Sequence, residues 1–331
     1  MKRIAINGFG RIGRIVCRII EDMDDIEVVA INTHSSDTKT LAYLLKYDTT
    51  YRTYDKEVTY DENNLYINGR QVAVYHEESP ITLPWKKMNI DVVLECTGKF
   101  TKKEDAMQHV EAGSKKVLIS APGKGDMKTI VYNVNDNELT DSDVVVSAAS
   151  CTTNCLAPVL KVLDENFKVV KGNMTTIHAY TNDQNTQDGS HKKGIEERRG
   201  MACAENIVPT STGAAKAIGK VLPNLEGKIA GTAIRVPVVD GSLVDLVVEL
   251  GKNTTKEELN KTFKENINET LCYTEDPIVS SCIIGSTCGA TIDANLTNVI
   301  DVDGKQLVHV VAWYDNEMGY SNQMIRTLKK M

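Results

Sequence analysis

Gly8-Phe9-Gly10-Arg11-Ile12-Gly13 leaves the start of this chain little choice of fold. The glycines follow a β-branched run, Arg3–Asn7. They precede Ile12, Ile15, Val16, Ile19 and Ile20, which recur at helical spacing, and Glu27–Asn32 then reads as a second strand. Glycine at these positions permits a tight turn, a close backbone approach to a pyrophosphate and close helix–strand packing. The helix start adds N–H groups and a positive dipole end for the phosphates. A strand–turn–helix of this kind predicts a Rossmann-type unit for a nicotinamide dinucleotide.

The first half continues this alternation. Val92–Cys96, Val117–Ser120, Thr129–Asn133 and Val144–Ser147 read as further strands of a parallel sheet, and Lys102–Ala112 as a helix stopped by Gly113. Near residue 150 the pattern changes. Longer runs, Val169–Thr181, Lys228–Val239, Ser242–Leu250 and Leu307–Tyr314, suggest an antiparallel sheet, Thr255-x-x-Glu258 is a capping box, and Asn316–Lys330 reads as a terminal helix. With 331 residues, more than one core usually organises, the expectation is an α/β protein of two domains. Residues 1–150 form the dinucleotide-binding domain, with the helix at 316–331 packed back on it. Residues 151–315 form an α+β catalytic domain with a mostly antiparallel sheet.

Composition excludes several classes. A formal charge of −7 disfavours nucleic acid and anionic membranes as partners, and an aromatic fraction of 5% disfavours base stacking. No apolar run approaches the roughly 18 residues of a membrane span, and the first residues lack the apolar stretch of a signal peptide. The eight cysteines show no paired Cys-x-x-Cys of zinc spacing, so no metal is expected. They are too sparse for a disulfide scaffold and read as reduced cytosolic thiols, in a cytoplasmic protein.

The second strand lacks the carboxylate that usually holds the adenosine ribose. Asn32 is followed by Thr33, His34, Ser35 and Ser36, all potential donors, and the first acid is Asp37. Without a repelling carboxylate these donors favour use of NADP, alongside or over NAD. The alternative is that Asn32 alone serves NAD.

Cys151 is the candidate nucleophile. It stands before Leu156, Val159, Leu160 and Leu163, hence at a helix N-terminus, where the dipole and free N–H groups favour a thiolate. Cys155, a turn deeper, reads as structural, as do Cys17 and Cys96. His178, in a strand among hydroxyl residues, is the candidate base, with a buried hydrogen-bonded histidine as the alternative. The other five histidines have loop or surface contexts.

Asn7–Gly13 (NGFGRIG), Ser150–Cys155 (SCTTNC), His178–Gln184 (HAYTNDQ), Gly213–Lys216 (GAAK) and Trp313–Ser321 (WYDNEMGYS) together resemble phosphorylating glyceraldehyde-3-phosphate dehydrogenases along the whole chain. The resemblance implies oxidation of glyceraldehyde 3-phosphate with inorganic phosphate to 1,3-bisphosphoglycerate, through a Cys151 thioester with His178 as base, in a homotetramer. Thr181, Asp183 and Arg235 then resemble the substrate-phosphate residues. Ser150, Thr152, Thr212, Gly213 and Arg198 resemble the inorganic-phosphate site, with Arg199 the alternative to Arg198. Asn7, Gly8, Gly10, Arg11, Ile12, Gly13, Thr33, Thr97, Gly98, Ser120, Asn316 and Tyr320 resemble cofactor contacts. Two departures, Thr33 for the family's common aspartate and Ser190 for its proline, both point towards NADP. Erythrose-4-phosphate oxidation on the same scaffold is the rival activity.

Overall fold

The computed structural model describes residues 1–34 and 36–331. Ser35, one of the expected donors, lies outside the described residues. The chain forms two units: Met1–Ile130 with Asp136–Ala149 and Met324–Met331, and Val131–Asn135 with Ser150–Gln323.

The first unit is built on a nine-stranded sheet. Arg70–Tyr75, Ile26–Asn32, Lys2–Asn7, Val92–Glu95, Lys116–Ile119 and Val145–Ser147 lie side by side in that order, all parallel. Strand order reverses between Lys2–Asn7 and Val92–Glu95, so a crevice opens beyond their carboxyl ends, the usual ligand position in such sheets. Because both faces are covered, the central strands are continuous apolar runs, with Ile4, Ala5, Ile6, Val93 and Leu94 at 0% exposure.

Two antiparallel strands, Val58–Tyr60 and Asn64–Ile67, extend one edge beyond the sequence expectation. Asn68 and Gly69, both at positive φ, turn the chain into Arg70–Tyr75. The expected strand Thr129–Asn133 shrinks to Lys128–Thr129. Val131 donates its N–H to the Asn135 side chain at 2.9 Å, and Asn133 is left-handed at φ 62, so the segment turns instead of extending.

His109 was expected at the surface, yet it is wholly buried on the core face of helix Lys103–Glu111. The Trp85 indole N–H donates to its Nδ1 at 3.0 Å, and its Nε2 lies 3.2 Å from Glu95 Oε2. An indole can only donate, so the ring's own proton sits on Nε2 and points at the carboxylate. His109→Ala is therefore expected to cost about 3 kcal/mol, since it leaves the buried indole donor unpaired, takes one donor from the buried Glu95 carboxylate and opens a cavity in the core. Urea unfolding checks this; a loss within experimental error would remove the network from the structural account.

The second unit carries an eight-stranded sheet. Its middle strands, Val169–Ala179, Ser242–Leu250 and Lys305–Tyr314, are antiparallel. Two pairs depart from the antiparallel expectation: Val169–Ala179 runs parallel to Ile229–Val236, and Leu271–Thr274 to Ala290–Asp293. In each case an intervening helix or long loop carries the chain back to the same end. Helix Cys151–Phe167 packs on this sheet, with Leu156, Leu160 and Leu163 at 0% exposure.

The terminal helix is Met318–Lys330, starting two residues later than expected because Asp315 accepts the N–H groups of Glu317 (2.9 Å) and Met318 (2.7 Å). Its residues from Met324 group with the first unit and those before with the second. Cys272 and Cys288 are joined as a disulfide, correcting the expectation of reduced thiols throughout. The parallel pairing of Leu271–Thr274 with Ala290–Asp293 sets their Cα atoms 6.1 Å apart, within the range a disulfide spans.

Candidate active site

In the first unit the glycine turn opens onto a cavity of about 440 Å³ lined by Asn7, Gly8, Gly10, Thr33, Thr97 and their neighbours. Gly8, at φ 96, lies so close to Thr97 that a Cβ would come within 2.7 Å of its backbone nitrogen. A Cβ on Gly13 would strike the Gly8 carbonyl at 2.2 Å, whereas one on Gly10 would meet nothing within 4 Å. Gly8 and Gly13 thus close the turn, and Gly10 keeps the space above the helix free. Gly10 offers no side-chain cap to helix Arg11–Ile20, whose positive dipole end faces the turn. These features fit a dinucleotide diphosphate.

Around this cradle, Glu95 accepts hydrogen bonds from the Thr97 N–H (2.8 Å) and hydroxyl and so sets the loop before Gly98, which is at φ 69. Sequence reasoning gave Glu95 no role. Arg11 is tied to Asp48 by an ion pair, while the Ser120 N–H is used on the Glu95 carbonyl at 2.9 Å. Ile12 is half-buried in the first helical turn.

The reactive cluster lies in the second unit. Ala149, at φ 58, bends the chain into helix Cys151–Phe167, and the Ser150 hydroxyl caps it by accepting the Thr153 N–H at 3.2 Å. This cap fixes Cys151 as the first helical residue. The strand Val169–Ala179 delivers His178, whose Nε2 is 3.4 Å from Cys151 Sγ. Its Nδ1 is 2.7 Å from the Ala179 carbonyl oxygen. The same Nδ1 lies 3.1 Å from Arg235 Nη1, which only donates, but the shorter contact is to a carbonyl, which only accepts; on that contact Nδ1 carries the proton and the Nε2 lone pair faces the sulfur.

Burial, reinforced by the neighbouring Arg235 guanidinium, lowers the His178 pKa to about 3, so the ring is neutral at physiological pH. Burial also pushes the Cys151 thiol up, while Arg235 and the Thr152 hydroxyl and N–H pull it back. The expected resting thiolate is replaced by a neutral thiol–imidazole pair, because desolvation of the sulfur outweighs the helix end.

Tyr314, from the last strand, completes the floor. Its hydroxyl bonds Thr152 (3.0 Å) and Thr176 (2.8 Å), and its ring meets His178 edge-on at 5.8 Å. It sits inside the quoted WYDNEMGYS motif, although sequence reasoning assigned it nothing. Cys155 is fully buried, as expected of a structural thiol, with Sγ 3.7 Å from the Ala312 carbonyl.

The cationic side of the cluster is Arg235, aligned with His178 by the parallel register of the two strands. Its Nη1 donates to the Ala179 carbonyl (2.9 Å) and the Thr181 hydroxyl (3.1 Å), and its buried Nε has no partner. A buried guanidinium nitrogen left unpaired is a donor awaiting an acceptor. The Thr181 hydroxyl also donates to Asp183, which holds Arg199 in an ion pair.

Arg199 is only 7% exposed, whereas Arg198 adopts φ 57 and turns outward to the Pro209 carbonyl at 3.2 Å. The reversed backbone at Arg198 sends consecutive side chains to opposite sides, so the place expected for Arg198 in the cluster is taken by Arg199. Thr212 and Gly213 precede helix Ala214–Val221, which packs against helix Cys151–Phe167. Thr212 Oγ1 accepts the Ala214 N–H at 3.2 Å, and Gly213 is exposed.

Asn316 and Tyr320, both buried, belong to this second unit, with the Asn316 Oδ1 accepting the Ser242 hydroxyl at 2.6 Å. Ser190 is exposed, and its carbonyl accepts from Asn185 at 3.2 Å. Among the described residues no cluster of acids, histidines and cysteines could hold a metal.

Two domain profiles match this arrangement: the glyceraldehyde 3-phosphate dehydrogenase NAD binding domain over residues 2–103, and the C-terminal domain of the same enzyme over residues 150–316. The chain belongs to the glyceraldehyde-3-phosphate dehydrogenase family. A relative of that name from Clostridium pasteurianum is 55% identical over 329 residues, 99% of this chain and 98% of its own. One from Clostridium acetobutylicum is 55% identical over 328 residues, again 99% and 98%, and one from Streptococcus pyogenes is 51% identical over 328, covering 99% and 97%. Members of this family are oxidoreductases, and the profile matched over residues 2–103 is described as an NAD binding domain, which supports use of NAD or NADP by the first unit. No helix among the described residues is long and apolar enough to cross a membrane.

Proposed function

We propose that this chain oxidises glyceraldehyde 3-phosphate and captures the acyl group with inorganic phosphate, giving 1,3-bisphosphoglycerate, as a cytoplasmic enzyme of glycolysis and gluconeogenesis. The observation that carries this reading is the Cys151–His178 contact, with His178 Nε2 3.4 Å from Sγ, beside Arg235 with an unpaired buried Nε. Cys151 Sγ attacks the aldehyde carbon while its proton passes through His178 Nε2 to the carbonyl oxygen, forming a hemithioacetal. The Cys151 backbone N–H and the His178 ring offer donors to that oxygen as it becomes negative.

A bound nicotinamide supplies the acceptor for the hydride. His178 takes the hydroxyl proton as the hemithioacetal becomes a thioester. Phosphate then attacks the thioester carbon, the C–S bond breaks, and the sulfur is reprotonated. Thr181, Asp183 and Arg235 are assigned to the substrate phosphate, and Ser150, Thr152, Arg199, Thr212 and Gly213 to the attacking one. Hydroxyls, guanidinium groups and a glycine N–H suit both anions.

Asn7, Gly8, Gly10, Arg11, Ile12, Gly13, Thr33, Thr97, Gly98 and Ser120, with Asn316 and Tyr320, are assigned to the dinucleotide, in a homotetramer. Between NAD and NADP, Thr33 and Ser190 remove obstacles to a 2′-phosphate. The carboxylates of Glu77 and Glu78, however, line the same cavity as Thr33, and on that ground we take NAD as the working cofactor. The test is acyl-phosphate formation from glyceraldehyde 3-phosphate. It is expected to require phosphate strictly and to fall at least ~10²-fold in Arg235→Leu through KM for the aldehyde. Equal rates without phosphate, or with erythrose 4-phosphate and no acyl phosphate, would overturn it.

A further inference from the structure

Asn32 ends the strand whose tip normally offers a carboxylate to the adenosine ribose. Its side chain is already committed. Oδ1 accepts the Glu77 N–H at 2.9 Å, and Nδ2 donates to the Glu77 carbonyl (2.9 Å) and to Asn7 Oδ1 (2.7 Å). The next residue is latched in the same way: the Thr33 N–H donates to the Tyr75 carbonyl at 2.9 Å, and the Thr33 carbonyl accepts from His76 Nδ1 at 2.8 Å. The strand tip therefore acts as a clamp that pins the segment from Tyr75 to Glu77 along its flank.

The clamp has an electrostatic consequence. It brings Glu77 and Glu78, 45 residues and more along the chain from Asn32, to the rim of the cavity shared with Gly8, Gly10, Thr33 and His34. The Glu77 carboxylate is partly engaged, accepting the Thr82 hydroxyl at 2.8 Å. Glu78 reaches across to His34, with Oε1 3.0 Å from Nε2. Among the described residues lining the cavity the carboxylates are these two and the one permanent cation is Lys99, so acid outnumbers permanent base where an adenosine ribose would lie.

We propose that Glu78, delivered by the Asn32 clamp, replaces the missing strand-tip carboxylate, accepting a hydrogen bond from the ribose diol and excluding a 2′-phosphate. The inference rests on the dinucleotide reading of the first unit given above. Thr33 removes one repelling charge from the strand, and the neighbouring segment returns it from outside.

The test is calorimetric titration of the full chain with ADP-ribose and with 2′-phospho-ADP-ribose, for the parent, Glu78→Gln and Glu78→Arg. Glu78 is 78% exposed, so neither variant threatens the fold. The parent is expected to prefer ADP-ribose by at least about tenfold. Gln should lose most of that preference while weakening ADP-ribose several-fold, and Arg should invert it. The kcat/KM ratio for NAD over NADP should move in parallel. An unchanged preference in both variants, with a parent that binds ADP-ribose, would overturn the role of Glu78 alone. A parent that binds neither ligand would overturn the dinucleotide reading and this inference with it.

Discussion

Cys151→Ser is expected to lower aldehyde oxidation ~10⁴-fold or more while leaving the fold intact. Serine is close in size, and the cap that starts the helix belongs to Ser150, not to residue 151. The loss is chemical. The resting site holds a neutral thiol facing a weakly basic imidazole, since burial and Arg235 depress His178 to about 3. A base that weak can take a proton only from a group that acidifies as it attacks. A thiol does so readily; an alcohol, several pKa units less acidic, does not. Burst amplitudes of reduced cofactor together with urea unfolding curves check both halves. Substantial turnover in the serine variant, or an unfolded one, would contradict the assignment.

His178→Asn is the second large effect, a fall of ~10² to 10⁴-fold in the chemical step with smaller changes in KM for the aldehyde. Asparagine keeps a donor towards the Ala179 carbonyl but offers no proton acceptor to Sγ. The pH dependence has a definite sign. The folded-state pKa of about 3 is well below the ordinary imidazole value near 6.5, so His178 stays unprotonated across the usual working range. The kcat/KM profile of the parent should therefore show no acid limb at an ordinary imidazole value. The same shift links to stability. The unfolded ring takes up a proton below about 6.5 and the folded one does not until about 3, so this contribution is complete above the first value and is lost as pH falls towards the second. In the asparagine variant, acid unfolding should be shallower in that window. An unchanged acid slope would mean that His178 titrates normally in the fold.

What could be read from residues in order was local. Gly8, Gly10 and Gly13 announce their turn because glycine spacing, strand and helix are contiguous, and Cys151 announces its helix because the apolar period begins just after it. What could not be read was set by residues that meet only in space. Arg198 and Arg199 are indistinguishable in a sequence; a left-handed backbone at the first decides that the second faces Asp183. Asn32 is the alternative ribose ligand by sequence, and only the pairing of Ile26–Asn32 with Arg70–Tyr75 shows its amide spent on Glu77.

His109 and Tyr314 follow the same pattern. A histidine in a polar helix resembles a surface residue until the face that meets Trp85 is known, and Tyr314 matters through Thr152 and Thr176 on other elements. The expected thiolate at Cys151 fails for a related reason: a helix N-terminus is visible in sequence, whereas the burial that opposes it is not.

Peptide mapping by mass spectrometry after mixing the enzyme with glyceraldehyde 3-phosphate and NAD, in the absence of phosphate, addresses the central chemistry most directly. The expected result is a single acyl adduct on the peptide carrying Cys151, near one per chain, discharged when phosphate is added. No adduct, an adduct that resides on another cysteine, or one that persists unchanged in phosphate would contradict covalent catalysis at Cys151.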